Sequence, residues 1–524
     1  MLIFILISLC VILIIVKFRA NRNYWKKQNV LQVDDILWTF LFDQRSLSEI
    51  VKTVYDNHDV PVIGTTQGSI PSLILKNVED IQAVVAGDFQ SFSKRGIKTN
   101  PNDVLADNIL VMDDFQKWKL IRQKLTPVFT SAKLKNMFYI IEKCARDFVK
   151  LVESNKEMRD NPFDVLYTYT TASIGASVFG IDTKTSTTMD SPFIEMAWES
   201  LKPSLKSNFA IILSRLSPKL YEFTTMDSPF MDMSWTAVEP KLKTNLSLIL
   251  SDLWPSLFNF LQLKFFGDQE EFFVGAVKNV LKNRRHDTVN KRHDFIEITL
   301  ELQKQGVMHD PTTNYDLELT DELIAAQAFF FFLAGTDTTA NTMHFTLLEL
   351  AGNPKILMKL HDEIDSIITP GKEELTYTDL EKLQYLDMVI SEAMRKYPPI
   401  GVITRLCTKE AVLPCGVTIE KGTIVAVPVL ALHRDEKIFP NPDVFDPERF
   451  RPDNNINKYT YLPFGEGNRI CIGLRFARLQ VKAGLAWLLR HYTLDEQIYK
   501  PKFEMSTFGL RDSTARYNLV AREI

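Results

Sequence analysis

The sequence predicts a mainly α-helical protein with small β-sheets, carried behind an N-terminal transmembrane anchor. Three observations predict it: a charge-free run at Leu2 to Val16, a helical pattern of about 32 residues beginning after Thr320, and a late stretch of alternating Val, Ile and Pro that reads as short strands. With 524 residues, 45% of them hydrophobic, the chain has ample material for a large core. Its 61 Lys and Arg against 65 Asp and Glu leave a net charge of −4, so no nucleic-acid partner is expected. Thirty-five Phe are a heavy aromatic load and point to an enclosed apolar space. Five scattered cysteines, an odd number, make no disulfide framework and indicate a reducing compartment.

Taken in order, Leu2 to Val16 is followed by Lys17, Arg19, Arg22, Lys26 and Lys27. Basic residues after the apolar run, rather than before it, argue for a retained anchor over residues 1–19 with the rest of the chain on the cytosolic side. At about 1.5 Å per residue the run is short for a hydrocarbon core of about 30 Å, so spanning recruits Phe18 and snorkelling of Lys17 or Arg19. Residues 28–524 then form the catalytic domain. Pro71 to Leu75 reads as a strand, and NVEDIQAVV after it has helical spacing. Residues 187–223 and 224–260 are a tandem duplication offset by 37 residues, with 20 identical positions; Trp198 recurs as Trp235 and Pro218 as Pro255. Two copies do not make a solenoid, and deleting either leaves 487 residues with a continuous join. The duplication therefore reads as two alternative segments kept together, over a fold with a place for one.

The long helix is capped by Thr320, carries Asp321 and Glu322 at its positive end, and stops at Gly352-Asn353-Pro354. Phe329 to Phe332 cover a full turn of it, so at most one or two can face a substrate. Shorter helices are expected at Pro354 to Ser366 and Tyr385 to Tyr397, extended chain up to Pro428, and a final long helix from about Leu474.

Four motifs carry chemistry. Phe464-Gly465-Glu466-Gly467-Asn468-Arg469-Ile470-Cys471-Ile472-Gly473 sets one cysteine in a glycine-rich loop before a helix N-terminus. Gly467 and Gly473 would admit a flat ligand, Arg469 and the helix end would favour a thiolate, and Phe464 would cover the sulfur. These are the needs of an axial thiolate on haem iron. Glu392-Ala393-Met394-Arg395 places an acid and a base on one helix face, and Pro447-Glu448-Arg449-Phe450 offers a second arginine. Ala334-Gly335-Thr336-Asp337-Thr338-Thr339 lies midway in the long helix and combines small residues, hydroxyls and an acid.

In this order and spacing the motifs resemble those of the cytochrome P-450 superfamily of haem-thiolate monooxygenases, from about Pro61 to the C-terminus. The resemblance implies haem b (iron protoporphyrin IX) with Cys471 as its metal ligand, and a cofactor-binding set of Trp118, Arg122, Arg405, Phe464, Arg469, Cys471 and Gly473. It implies catalytic roles for Asp337 and Thr338 in proton delivery, room for dioxygen beside Gly335, and structural support from Glu392, Arg395 and Arg449. No flavin or nicotinamide fingerprint is present, so electrons would come from an NADPH–cytochrome P-450 reductase, with cytochrome b5 as a second donor. Lys117, Lys119, Lys124, Arg475, Arg478 and Lys482 offer a basic face for such a donor or a merely solvated one. AQAFFFFLAGTDTT and ALHRDEKIFPNPDVFDPERF are similar to the microsomal arthropod branch related to drug-metabolising enzymes, which implies the endoplasmic reticulum membrane and a lipophilic xenobiotic or endogenous substrate. One departure is that Asn29 to Val33 stands where that branch has a Pro-rich hinge. A haem-thiolate isomerase or dehydratase, and a non-catalytic haem carrier, are the competing roles for the same site.

Overall fold

In this computed structural model the described residues are essentially 21–154, 162–179, 264–286 and 294–523, single positions within these spans excepted. The expected anchor, Val16 apart, and the duplication, Phe258 apart, lie outside them. The described residues form helices α1 (Ile36–Phe42), α2 (Leu47–Asp56), α3 (Phe115–Leu125), α4 (Ser131–Ser154), α5 (Pro162–Phe179), α6 (Gly267–His286), α7 (Phe295–Lys304), α8 (Asp321–Ala351), α9 (Pro354–Ile367), α10 (Gln384–Lys396) and α11 (Leu474–His491), besides several one-turn helices. The largest sheet has four strands, β1 (Val62–Gln67), β2 (Ile70–Leu75), β5 (Ile403–Leu406) and β6 (Ile424–Val427), in the order β1-β2-β6-β5. Only β2 and β6 run parallel, Ser72 facing Ile424. The remaining pairs are small: β3 (Met308–Asp310) with β4 (Tyr315–Leu317), Ala411–Val412 with Thr418–Ile419, and β7 (Tyr492–Leu494) with β8 (Leu519–Ala521). A mainly helical protein with small sheets is thus what the chain builds.

Helix α8 is the axis of the molecule. Its 31 residues, about 46 Å of helix, begin where Thr320 Oγ1 accepts the Leu323 N–H at 3.2 Å and end at Gly352. It is long and apolar enough to cross a membrane, but two-thirds of its most apolar stretch is buried among the other helices, as in a core helix. It packs chiefly on α5, and α11 packs on α4. Of the phenylalanine run, Phe329 meets Phe266 and Phe273 edge-on, Phe331 meets Phe129 and Phe295, and Phe332 meets Phe179; only Phe330 is incompletely buried. The β3–β4 hairpin has strands of three residues each, too short to leave a readable alternation in the sequence.

Gly335 corrects one expectation. A Cβ there would lie 2.9 Å from Ile174 Cδ1 of α5, so this glycine serves the close approach of two helices rather than opening room beside the helix.

Candidate active site

The cysteine loop is built by backbone geometry. Gly465 and Gly467 adopt φ of +69° and +74°, and the Cys471 N–H donates to the Phe464 carbonyl at 2.9 Å. A Cβ on Gly467 would sit 2.1 Å from the Val85 carbonyl oxygen. The close approach that Gly467 allows is therefore to the protein's own chain. Gly473 precedes α11, with open space around its Cα, and its N–H points to the Cys471 sulfur. Phe464 and Ile472 flank the cysteine and join the core that includes α8.

Cys471 Sγ is reachable by a water-sized sphere and yet enclosed by protein on nearly every side, so it lines an interior space rather than the outer surface. Burial raises its pKa above that of a free thiol, and the Gly473 N–H, Arg122 and Arg95 only partly offset this. The sequence expectation that the loop itself favours a thiolate is corrected here. Arg469 turns away from the sulfur: its Nε donates to Ser93 O at 3.0 Å, its Nη1 to Ile109 O at 3.2 Å, and its guanidinium lies 3.8 Å over the Trp118 ring. A coordinated metal would deprotonate the thiol outright.

Around this space stand four arginines from four parts of the chain. Arg122 of α3 donates to Ile470 O at 2.7 Å, and Arg95 to Arg469 O at 3.3 Å. Arg405 of β5 is 1% exposed, spends Nη1 on Thr404 O at 2.9 Å, and leaves its buried Nε without a partner, as does Arg95. Burial, then mutual repulsion, lowers Arg469 to about 8, Arg405 to about 9 and Arg95 to about 10. A guanidinium keeps its proton in a protein, so these shifts express unneutralised positive charge. No carboxylate within salt-bridge distance of the four is found among the described residues; Asp113 only tempers Arg469 from farther away. The donor set therefore fits a ligand that brings two carboxylates and an axial metal to the thiol, as haem does with its propionates. Arg95 was invisible in the sequence: Ser93-Lys94-Arg95-Gly96 has no motif, and only the φ of +86° at Gly96 marks the turn that aims it.

Glu392 and Arg395, on α10, are 0% exposed and pair through 2.7 and 2.8 Å bonds. Arg449 Nε lies 3.5 Å from Glu392 Oε1. Arg395 also donates to His433 O at 2.8 Å and Pro442 O at 2.7 Å, which ties α10 to the chain leading into the cysteine loop.

On α8, Thr338 Oγ1 donates to Ala334 O at 2.6 Å, one turn back, and so has no proton to give elsewhere without rotating about χ1. Asp337 is not solvated: its Oδ1 accepts no hydrogen bond, and the nearest cation is Arg511 at 3.9 Å. Burial raises the Asp337 pKa, with Arg511 working against the rise. The structure does not join Asp337 and Thr338 by a hydrogen bond between their side chains. Of the basic face, Lys117 pairs with Asp107, Lys119 with Asp310, and Lys482 and Arg478 with Asp387, while Lys124 is half-buried and Arg475 exposed.

The family model described as Cytochrome P450 matches residues 36–519. Cytochrome P450 6j1 of Blattella germanica is 30% identical over 502 residues, covering 94% of this chain and 90% of that protein. Cytochrome P450 6B2 of Helicoverpa armigera is 30% identical, covering 93% and 91%, and cytochrome P450 6k1 of Blattella germanica is 28% identical, covering 91% and 88%. All three are insect proteins, in line with the arthropod resemblance. An enclosed cysteine beside arginines that no acid neutralises among the described residues, on a helical fold that the family model matches over residues 36–519, has one reading: the chain belongs to the cytochrome P450 family of haem-thiolate monooxygenases.

Proposed function

We propose that this chain inserts one atom of dioxygen into a lipophilic small molecule, xenobiotic or endogenous, with electrons from an NADPH-dependent flavoprotein reductase and cytochrome b5 as an auxiliary donor. Its site is the endoplasmic reticulum membrane, with residues 28–524 in the cytosol. The observation that carries this reading is Cys471 facing an interior space ringed by four arginines without acidic partners among the described residues. Haem b, when bound, supplies the redox and oxygen chemistry. The protein's residues do the rest. Cys471 would ligate the iron through its sulfur, which supplies the electron-rich donor of haem-thiolate chemistry. Arg95, Arg122, Arg405, Arg469 and Trp118 receive the propionates and fix the ring plane, with Phe464 and Gly473 shaping the sulfur's surroundings. Asp337 holds a proton at its carboxyl and passes it inward, and Thr338 receives it once its hydroxyl turns from Ala334 O. The phenylalanines before this turn exclude water. Glu392, Arg395 and Arg449 keep the cysteine loop in place.

The test is a reduced, carbon-monoxide difference spectrum together with NADPH-supported turnover by the reductase-reconstituted protein. A thiolate-type absorption band and oxygen-dependent product are expected. Cys471→Ala should lose both, and normal turnover by that variant would refute the axial role. Product formed without dioxygen and reductase would point instead to an isomerase or dehydratase.

A further inference from the structure

Arg469 is aimed by two backbone carbonyls, and they are anchored differently. Ser93 O, which takes its Nε, sits beside Lys94, whose own carbonyl accepts the Leu406 N–H of β5 at 2.8 Å, so the sheet holds it. Ile109 O, which takes its Nη1, lies in residues 107–110, a stretch with neither helix nor strand. The backbone of such a stretch, when buried, draws its partners from side chains. Asn108 supplies one from within, its Oδ1 accepting the Leu110 N–H at 3.0 Å. Gln327 of α8 supplies two from across the molecule. Its Oε1 accepts the Ile109 N–H at 3.0 Å, and its Nε2 donates to Asp107 O at 2.8 Å, with a longer contact to Leu323 O of its own helix at 3.3 Å. Both ends of one amide, itself buried, are thus used on one loop. Nearer the surface, the Asp107 carboxylate adds its ion pair with Lys117.

The place of Gln327 on α8 matters as much as its bonds. Ala334 and Thr338 follow it by seven and eleven residues, so each lies within about 20° of Gln327 around the helix. The helix face that bears the Ala334–Thr338 turn therefore also grips the loop that aims Arg469. A guanidinium is a rigid planar fork, so bonds from Nε and Nη1 to two fixed carbonyls set the direction of the remaining nitrogen, whereas one bond does not. That nitrogen, Arg469 Nη2, makes no hydrogen bond among the described residues. We propose that Gln327 is a positioning residue for the cofactor: by fixing Ile109 O it sets the direction in which Arg469 offers Nη2 to a haem propionate. This rests on the reading in which Arg469 is a propionate partner. Without the amide, the Ile109 N–H and Asp107 O lose their partner, the loop shifts to find others, and Ile109 O leaves the fork. Arg469 then keeps Ser93 O and the Trp118 face, which leave its plane free to turn.

The test reads the propionates in the holoenzyme. In Gln327→Met the propionate-bending band of the resonance Raman spectrum should shift, and haem transfer to an acceptor protein should accelerate about threefold to tenfold, the loss of a hydrogen bond rather than of a charge. In an Arg469→Lys background, where no planar fork remains to be aimed, the same substitution should add less than about twofold. Fully additive effects overturn the proposal. So does a Gln327→Met protein that melts at a lower temperature but keeps the wild-type band and transfer rate, because the amide would then be structural only. Should Gln327→Met not fold, Gln327→Asn, an amide shorter by one methylene, decides by the same two readouts. A wild-type protein without the thiolate-type absorption band would overturn the haem reading and the proposal with it; the band present, with propionates unmoved in the variant, overturns the proposal alone.

Discussion

Two guanidinium clusters of this protein, each largely enclosed, differ in one respect. Arg395 and Arg449 share the carboxylate of Glu392, and Arg395 spends its remaining donors on the carbonyls of His433 and Pro442, so the first cluster carries a counter-ion of its own. Arg95, Arg122, Arg405 and Arg469 have carbonyls and one indole face, but no acid within salt-bridge distance among the described residues. A self-satisfied charge network is architecture. One left short of negative charge is a binding site. The same residue type, equally buried, is told apart by what its partners leave undone.

The comparison breaks most sharply at Glu392. Glu392→Ala strands Arg395 without a counter-ion, and thermal or denaturant unfolding should show a loss of about 3–5 kcal/mol, or no folded protein at all. Equal stability would mean that the two clusters are not different in kind. Next in size, Arg405→Met removes a cation that only a ligand neutralises. Haem transfer to an acceptor protein should accelerate about tenfold to a hundredfold, the loss of one hydrogen bond to a charged group, while the haem-free protein is no less stable. Destabilisation of the haem-free form would place Arg405 with the structural cluster. Gly467→Ala must seat a Cβ against the Val85 carbonyl at φ +74°, and should cost about 1–3 kcal/mol and weaken the thiolate-type absorption band. A wild-type melting curve would show that the loop has slack.

The smallest effect is one of pH. His433 adjoins the first cluster: it accepts the Leu462 N–H at Nε2, at 2.9 Å, so its proton sits on Nδ1, 3.2 Å from Arg395 O. Burial, then Arg395, lowers its pKa from 6.5 to about 3. A depressed histidine binds fewer protons folded than unfolded. Its contribution to stability is therefore full above pH 6.5 and lost as the pH falls from there toward 3. His433→Asn should flatten the acid limb of the stability profile between these values, and an unchanged slope would assign acid sensitivity to other groups.

Much of this was legible in the sequence, because the motifs combine local spacing with residue chemistry. The cysteine loop, the i, i+3 pair on α10, and a helix capped at Thr320 and stopped at Gly352 depend on neighbours a few residues apart, and periodicity and capping report such neighbours directly. The direction of a loop side chain is a different matter. Nothing local distinguishes Arg469, which turns to Trp118, from Arg95, which helps ring the sulfur, and nothing joins Arg511 to Asp337 across more than 170 residues. Even Gly335 and Gly467, rightly marked as positions of close approach, were matched to the wrong partner.

By itself, then, the sequence determined the helical class and the family, and singled out the sulfur proposed as the iron ligand. Only the tertiary structure decided which charges are answered within the protein and which are left for a ligand. The physical reason is that neutralisation belongs to pairs in space: a carboxylate within about 4 Å changes what an arginine is for, and chain separation says nothing about that distance.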